Sequence, residues 1–312
     1  MKGLLNVSSN PHIRSKVSTS SIMFCVIVAL LPATGFGIFH FGLNAFMLVL
    51  VSVFSACAFE GLFDLITHRK NSLGDLSAVV TGLLLALNLP PSAPWWIAVL
   101  GSFFAIVVVK MLFGGLGQNF MNPALGARCF LLISFAAIMT DYSVDGVSEA
   151  TPLALLKAGE GVDIVAMAKG YSGGTIGETS IICILVGACI LILFNIIDII
   201  IPGMYLLSFA ICMGLFGGHG FDLSFLAAHL SGGGLMLGAF FMATDYVTRP
   251  ITKVGQFFYG IILGVLTAVF RVFGPSPEGV SYAIILGNLL VPLIDKVTKP
   301  IFFGKGGART DE

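Results

Sequence analysis

The sequence predicts an all-α polytopic membrane protein of about ten transmembrane helices, arranged as two five-helix inverted repeats with some helices broken. Hydrophobic residues make up 57% of the 312 residues and charged residues only 10%, whereas soluble domains carry roughly 25% charged residues. Apolar runs of about 20 residues, the length that crosses a bilayer, recur along nearly the whole chain. No separate soluble domain fits between them.

Apolar runs and helix-breaking residues divide the chain into ten candidate helices. The first run follows Lys2, Arg14 and Lys16, but it is too long for a removable signal and lacks a small-residue cleavage site, so we interpret it as the first span. The candidate helices cover residues 21–42, 43–66, 75–90, 94–113, 123–140, 178–201, 203–218, 223–243, 255–274 and 279–296.

The basic residues orient these spans. Under a ten-span count they fall on one side, which the positive-inside rule makes cytoplasmic together with both termini. The connection 141–177 then lies outside a bacterial inner membrane, and it is rich in acidic residues. The orienting residues are Lys2, Arg14, Lys16, His68, Arg69, Lys70, Lys110, Arg128, Arg249, Lys253, Lys296, Lys299, Lys305 and Arg309.

The two halves of the chain share short patterns at one offset of 154 residues. Leu76-Ser77 matches Leu230-Ser231, and Gly101-x-Phe103-Phe104 matches Gly255-x-Phe257-Phe258. Because each half holds five spans, the halves must cross the membrane in opposite directions, which is an inverted repeat. We therefore divide the chain into residues 1–154 and 155–312. Chance matching of these common residue types is the alternative.

The third helix of each half is predicted to be short. Asn88, Pro90 and Pro91 end the first, while Gly232, Gly233 and Gly234 open the second. Unsatisfied backbone groups cost several kcal/mol in lipid, so broken helices must lie inside the bundle or line a cavity. We expect ligands to bind there.

The connection 141–177 contains Asp145-Gly-Val-Ser148-Glu-Ala150-Thr151. This stretch resembles the flavinylation motif, in which a flavin transferase joins FMN to the threonine through a phosphoester outside the bacterial cytoplasmic membrane. The resemblance assigns Thr151 as the attachment residue and Asp145, Ser148 and Ala150 as motif residues. Glu149 replaces the small residue usual at its position. Thr151 before Pro152 is also a good helix N-cap, a place that favours an anion.

Nearly the whole chain is similar to the D subunits of Rnf ferredoxin:NAD oxidoreductases and to the related B subunits of sodium-pumping NADH:quinone oxidoreductases. The absence of a long N-terminal extension favours the former. The similarity rests on Ser9-Asn10-Pro11-His12-Ile13, Leu87-Asn88-Leu89-Pro90-Pro91, Gly114-Gly115-Leu116-Gly117-Gln118-Asn119, Asn122-Pro123-Ala124, Thr244-Asp245-Tyr246-Val247-Thr248-x-Pro250 and Pro277-Glu278-Gly279-Val280.

That resemblance implies a membrane flavoprotein that relays electrons within an ion-translocating complex and is not catalytic in isolation. It implies partners: an extracytoplasmic FMN subunit, iron–sulfur subunits, a flavin transferase, and Na⁺ or H⁺ as the moved ion. It also allows a second, non-covalent flavin such as riboflavin near Gly115, Gly117, Asn119 and Asn122. Glycines let a flat ring approach the backbone and amides bind a polar ring edge; the alternative is an ordinary turn that ends at Pro123.

Ionisable residues near the spans are candidates for ion coupling. Glu60 and Asp64 lie four residues apart and so share a helix face, although both are near the cytoplasmic end, where solvation also explains them. Asp245 could act near a flavin or pair with Arg249. Arg271 near the outer end of its helix suggests a flavin or phosphate partner, or a side chain that snorkels to the interface.

Several functions have no support in the sequence. The six cysteines are single and no histidine or cysteine cluster occurs, so no iron–sulfur or zinc site is predicted. A net charge of zero without a basic run argues against nucleic-acid binding. The competing hypothesis is an inverted-repeat secondary transporter or channel without a redox cofactor.

Overall fold

The computed structural model describes residues 17–69, 72–142, 151–158, 162–170, 173–178, 180–218, 220–274 and 279–300. Across these ranges the chain forms helices and turns and contains no strand, which confirms the all-helical class. The helices are α1 (Thr19–Phe41), α2 (Leu43–Ile66), α3 (Ser77–Leu87), α4 (Trp95–Phe103), α5 (Pro123–Ser134), α6 (Ala136–Met139), α7 (Pro152–Lys157), α8 (Ile164–Lys169), α9 (Ile181–Leu193), α10 (Ile200–Phe216), α11 (Leu223–Ser231), α12 (Leu235–Leu237), α13 (Lys253–Phe273) and α14 (Val280–Thr298).

Among the residues that the structure describes, four helices are long and apolar enough to cross a membrane: α1, α2, α13 and α14. A fifth span results if α11 and the segment Leu235–Met242, which bends away from it by 66°, count as one. Five shorter apolar helices, α3, α4 with its extension to Met111, α5, α9 and α10, complete the set. The chain is a multi-pass membrane protein. The ten-span inverted repeat itself remains a prediction.

Outward-facing apolar side chains fit this assignment. Phe39, Leu43, Phe54 and Leu193 are each more than three-quarters exposed. In water such a surface would be costly, whereas lipid tails solvate it as well as a protein core does. These helices therefore present their apolar faces to the bilayer.

Two predicted helices are shorter than the sequence suggested. The segment 123–140 divides at Phe135, whose backbone (φ −133°, ψ 47°) leaves the helical region between α5 and α6. The segment 178–201 is helical only over α9, because the chain then turns through Asn195 at φ 52°. The apolar composition continued past both breaks, so it could not reveal them.

Both predicted short helices are broken as expected. A 3₁₀ turn, Leu73–Asp75, and the left-handed Leu76 (φ 63°) precede α3. Gly233 and Gly234 (φ 67° and 65°) separate α11 from α12, and such angles favour glycine because it lacks a Cβ. From Gly238 to Met242 the chain continues as π-helix, as it does from Phe104 to Met111 after α4.

Close helix packing uses glycines as contact points. The α10–α13 pair is the most extensive, and a Cβ on Gly264 of α13 would lie 1.9 Å from Ser208 Oγ. Helices α1 and α9, from different halves, meet at Gly187, where a Cβ would lie 2.0 Å from the Ala29 carbonyl oxygen. Small residues at these positions let helix backbones approach closely in a membrane.

The α10–α13 contact gives a direct test. Gly264→Ala should lower the thermal stability of the purified protein in detergent, because the added methyl group overpacks the interface at a cost of about 1–3 kcal/mol. Gly203→Ala on α10 is the matched control, since a Cβ there meets nothing within 4 Å and alanine is the better helix former. Equal melting temperatures for the two variants would contradict the described packing.

Candidate functional site

Thr151 borders a pocket, here called the Thr151 pocket. Thr151 itself is half-buried. Its Oγ1 accepts a hydrogen bond from the Ala154 backbone N–H at 3.3 Å, so Thr151 is the N-cap of α7, as predicted. Thr151 is thus both the cap of a short helix and a residue of the pocket lining. The motif residues Asp145, Ser148 and Ala150 lie outside the described residues. The pocket is lined by Thr151, Pro152, Leu153, Met167, Gly173, Glu178, Ser231, Gly232 and Gly233.

The helix break at Gly232–Gly233 forms one wall of this pocket. Leu153 packs directly on the break, because a Cβ on Gly233 would lie 2.3 Å from its side chain. Behind the wall, Arg271 donates to the carbonyl oxygens of His229 and Gly232, the latter at 2.7 Å. Its guanidinium thus binds carbonyls that the break removes from helical hydrogen bonding.

Arg271 is only 4% exposed, with its guanidinium 5.0 Å from the centre of the Phe209 ring. The snorkelling alternative is therefore wrong, because the side chain points into the protein rather than to the interface. It does not line the Thr151 pocket itself. Its side chain instead holds the wall that Leu153 contacts.

A buried ion pair adjoins the pocket. Arg128 Nη2 lies 3.3 Å from Glu178 Oε1, and the two side chains are 4% and 7% exposed. Arg128 Nη1 also donates to Asn88 Oδ1 at 2.7 Å. The backbone N–H groups of Ile176 and Gly177 donate to Leu89 and Leu87, which fixes the segment 173–178 against the end of α3.

A second cavity, here called the central cavity, lies between the first turns of α1 and α3 and the chain from Phe241 to Val247. It brings together residues that the sequence analysis proposed for different roles. Asn119 and Asn122 line it, as does Asp245, but Gly115 and Gly117 do not. Its void, including the part open to solvent, is about 760 Å³.

The two cavity amides also have structural tasks. Asn122 caps α5 through Oδ1, which accepts from the N–H groups of Ala124 and Leu125, and its Nδ2 donates to the Met242 carbonyl at 3.4 Å. Asn119 Nδ2 donates to the Met121 carbonyl at 3.0 Å. The ordinary turn ending at Pro123, which was the alternative to a second flavin site, is thus present. It forms part of the wall of the central cavity.

Lys110 connects the cavity to the predicted acidic pair. It lines the cavity, is 2% exposed, and places Nζ 2.6 Å from both Glu60 Oε2 and Ser77 Oγ. Ser72 Oγ lies 2.6 Å from Glu60 Oε1 and 2.8 Å from Asp64 Oδ2. Glu60 and Asp64 are 0% and 4% exposed, so the solvation alternative is wrong.

Lys110 and Arg128 are among the predicted orienting cytoplasmic charges, and for these two the prediction of a surface charge is wrong. Both are buried and paired with a carboxylate, so neither is a surface charge of the kind that the positive-inside rule counts. Glu178, the partner of Arg128, was not singled out. A charge inside or directly at an apolar segment was the available signal for all three.

Asp245 is held by its own turn. Its carboxylate accepts a hydrogen bond from the Thr248 hydroxyl at 3.2 Å, while the guanidinium of Arg249 lies 4.5 Å from the centre of the Tyr246 ring. The guanidinium of Arg249 thus makes a cation–π contact with Tyr246, while its positive charge still favours the ionised Asp245 carboxylate. Burial raises the pKa of Asp245, and the Thr248 bond opposes that rise.

Two short helical segments connect the two sites and run in opposite directions. Helix α3 begins at the central cavity with Ser77, and its C-cap residue Asn88 lies beside Arg128. The segment Leu235–Met242 begins next to Gly233 of the Thr151 pocket and reaches the cavity at Phe241. Eight residues of helix cover roughly 12 Å, so the two sites are close.

Comparison with known proteins identifies the family. Residues 6–304 match the NQR2, RnfD, RnfE family. The chain is 48% identical over 309 residues to the D subunit of the Na(+)-translocating ferredoxin:NAD(+) oxidoreductase complex of Acetobacterium woodii, covering 96% of this chain and 95% of that protein.

Two further relatives match over nearly their full length. The D subunit of the proton-translocating ferredoxin:NAD(+) oxidoreductase complex of Clostridium ljungdahlii is 40% identical, with 97% of each chain covered. The D subunit of the ion-translocating oxidoreductase complex of Salmonella paratyphi A is 36% identical, with 96% of this chain and 99% of the relative covered. The chain therefore belongs to the NQR2, RnfD, RnfE family.

Proposed function

We propose that the protein is the D subunit of a bacterial ion-translocating ferredoxin:NAD oxidoreductase complex and carries FMN as a phosphoester on Thr151. The assignment to the complex rests on relatives that match over nearly their full length. The observation that supports the flavin assignment is the position of Thr151, which lines a pocket as the N-cap of α7. The catalytic reaction of the complex needs its other subunits.

The residues of the Thr151 pocket fit a tethered phosphoester and ring. Leu153 packs on the wall at Gly232 and Gly233, so a ring in the pocket would meet that leucine rather than bare backbone. Leu153 and Met167 provide apolar surface for such a ring, while Thr151 holds the attachment point. When bound there, FMN would supply one-electron transfer, and the chain's part is to hold the group at the helix break.

The proposed topology puts both termini in the cytoplasm and Thr151 on the opposite side of the membrane. The opposite directions of α3 and the segment Leu235–Met242 support an inverted relation of residues 1–154 and 155–312. Under this arrangement an extracytoplasmic FMN subunit meets the Thr151 side. The iron–sulfur subunits and a flavin transferase complete the proposed set of partners.

The competing function is a transporter or channel of the same architecture without a redox group. Broken helices and buried charges fit that function as well. The two hypotheses differ at Thr151, which a transporter uses only as a helix cap. Family membership favours the redox subunit, and covalent attachment of flavin at Thr151 separates the two.

Attachment of flavin is tested with a substitution of Thr151 that keeps the helix cap. Thr151→Asn retains a good N-cap residue but removes the hydroxyl, so we expect the protein to fold and to lose covalent flavin entirely. The chain is expressed with a flavin transferase, denatured, and inspected for fluorescence in the gel under ultraviolet light. Thr140→Ala, which removes an exposed threonine hydroxyl bonded to Ala136, is the matched control and should remain fluorescent.

Fluorescence in Thr151→Asn would place the flavin elsewhere and contradict the assignment. A dark wild-type band beside an active transferase would contradict covalent flavin altogether. The transporter hypothesis would then be the stronger one.

A second, non-covalent flavin is proposed for the central cavity, in agreement with the amide pair that the sequence singled out. Asn119 and Asn122 line the space, and the surrounding side chains are largely apolar, as flat cofactor sites usually are. The role proposed for Gly115 and Gly117 changes, because both have positive φ and shape the turn but do not line the cavity.

Ion coupling is proposed for Glu60 and Asp64, and for Asp245, which lines the central cavity. Ser72 Oγ carries one hydrogen but lies within hydrogen-bond distance of both carboxylates. One shared proton or one small cation would satisfy both contacts. Lys110 links this pair to the cavity through Glu60 and Ser77, so a charge change in the cavity acts directly on the pair. Na⁺ and H⁺ are both compatible.

The Lys110 pair makes a stability prediction. Lys110→Met leaves Glu60 buried without its cation and should destabilise the protein by about 3–5 kcal/mol, measured by thermal unfolding in detergent. Lys110→Met combined with Glu60→Gln removes both charges and should recover most of that loss. Equal melting temperatures of the single and double variants would show that the buried charge is not what matters.

Ion coupling is tested in the assembled complex in vesicles. Asp64→Asn should reduce ion transport per electron transferred, because the amide cannot hold a proton or a cation charge. Asp198→Asn is the control, since Asp198 pairs with Lys253 on the surface with 46% of its side chain exposed. Unchanged transport in Asp64→Asn would remove this pair from the ion path.

A further inference from the structure

The buried pair of Glu178 and Arg128 is asymmetric with respect to the Thr151 pocket. Glu178 lines the pocket, whereas Arg128 lies behind it and does not. The guanidinium reaches the carboxylate at 3.3 Å. A group held in the pocket therefore lies nearer to the negative charge than to the positive one.

Both charges are fixed by contacts from several elements. Arg128 is bound to Asn88 at 2.7 Å, and Glu178 follows a segment whose backbone is hydrogen-bonded to α3 at Gly177. A Cβ on Gly234 would lie 2.5 Å from Glu178 Oε1, so the absent side chain makes room for the carboxylate. Fixed charges in a poorly solvated site act strongly on a neighbouring charge.

We propose that Glu178 and Arg128 set the reduction potential of the flavin attached at Thr151, with the carboxylate lowering it and the guanidinium raising it. This inference rests on the proposed function. Both are positioning residues in the electrostatic sense, because they fix charge around the cofactor and need not touch its reacting atoms. Gaining an electron makes the cofactor more negative, so a nearby carboxylate opposes reduction and a nearby cation favours it.

The proposal predicts shifts of opposite sign. Glu178→Gln removes the negative charge and leaves the cation, so the midpoint potential should rise. Arg128→Met removes the cation and should lower it. The double variant removes both charges and should return towards the wild-type value. A pair that only holds the fold together would not give shifts that oppose each other and cancel.

The experiment uses the full chain, expressed with a flavin transferase and purified in detergent, with covalently attached FMN as the probe. Fluorescence in a denaturing gel first establishes attachment in every variant. A redox titration followed by flavin absorbance, with dithionite as reductant and ferricyanide as oxidant, then gives each midpoint potential. Arg128→Lys keeps the positive charge and should keep a midpoint potential near that of the wild type. It therefore separates loss of the charge from loss of the arginine side chain. Asp163→Asn is the matched control, because it removes an exposed helix-cap carboxylate that does not line the pocket.

Opposite shifts in Glu178→Gln and Arg128→Met, with Asp163→Asn and Arg128→Lys near the wild type, would support the proposal. Labelled variants with unchanged potentials, or a fall in Glu178→Gln, would overturn it while leaving the flavin assignment intact. An unlabelled wild type would overturn both, and the gel distinguishes that case before any potential is measured. If Arg128→Met does not fold, the sign of the shift in midpoint potential of Glu178→Gln still decides whether the proposal holds.

Discussion

The need to satisfy backbone polar groups at broken helices governs the interior of this protein. A helix that ends within the membrane region leaves carbonyl and N–H groups that lipid cannot bind. Arg271 binds carbonyls at the end of α11, Asn122 caps α5 and bonds the end of the π-helical segment at Met242, and the backbone of Ile176 and Gly177 serves the end of α3. Each break thus recruits polar groups from a distant part of the chain, and the two pockets form where those groups converge.

Bringing cations into the interior creates a second requirement. A buried arginine or lysine needs a carboxylate partner, because an unpaired charge costs several kcal/mol. Lys110 pairs with Glu60 across the extension of α4 and α2, and Arg128 pairs with Glu178 across segments on either side of the proposed repeat boundary. Such pairs contribute little net stability against apolar alternatives. What they provide is fixed charge at the edges of two pockets, and lipid-facing surfaces offer no equivalent.

The sequence predicted the helical class and the approximate place of each apolar segment, because composition and breakers report burial in lipid directly. It also predicted that Asn88 and Gly232–Gly234 mark short helices, and the structure confirms both. It could not show that Lys110 points inward, since a single charge in an apolar run is compatible with an interfacial end. Nor did it reveal Glu178, whose partner lies 50 residues away; only packing brings them together. The break at Phe135 had no compositional signal, and the motif residues before Thr151 lie outside the described residues.

Helix α3 is the element that both sites share. Its first residue, Ser77, accepts a hydrogen bond from Lys110 at the central cavity, and Asn88 at its other end accepts one from Arg128 beside the Thr151 pocket. Eleven residues span only about 16 Å, and a helix transmits displacement along its axis with little loss because its hydrogen bonds are internal. The two buried cations that pair with Glu60 and Glu178 thus contact opposite ends of the same short helix, so the packing of α3 positions both of them.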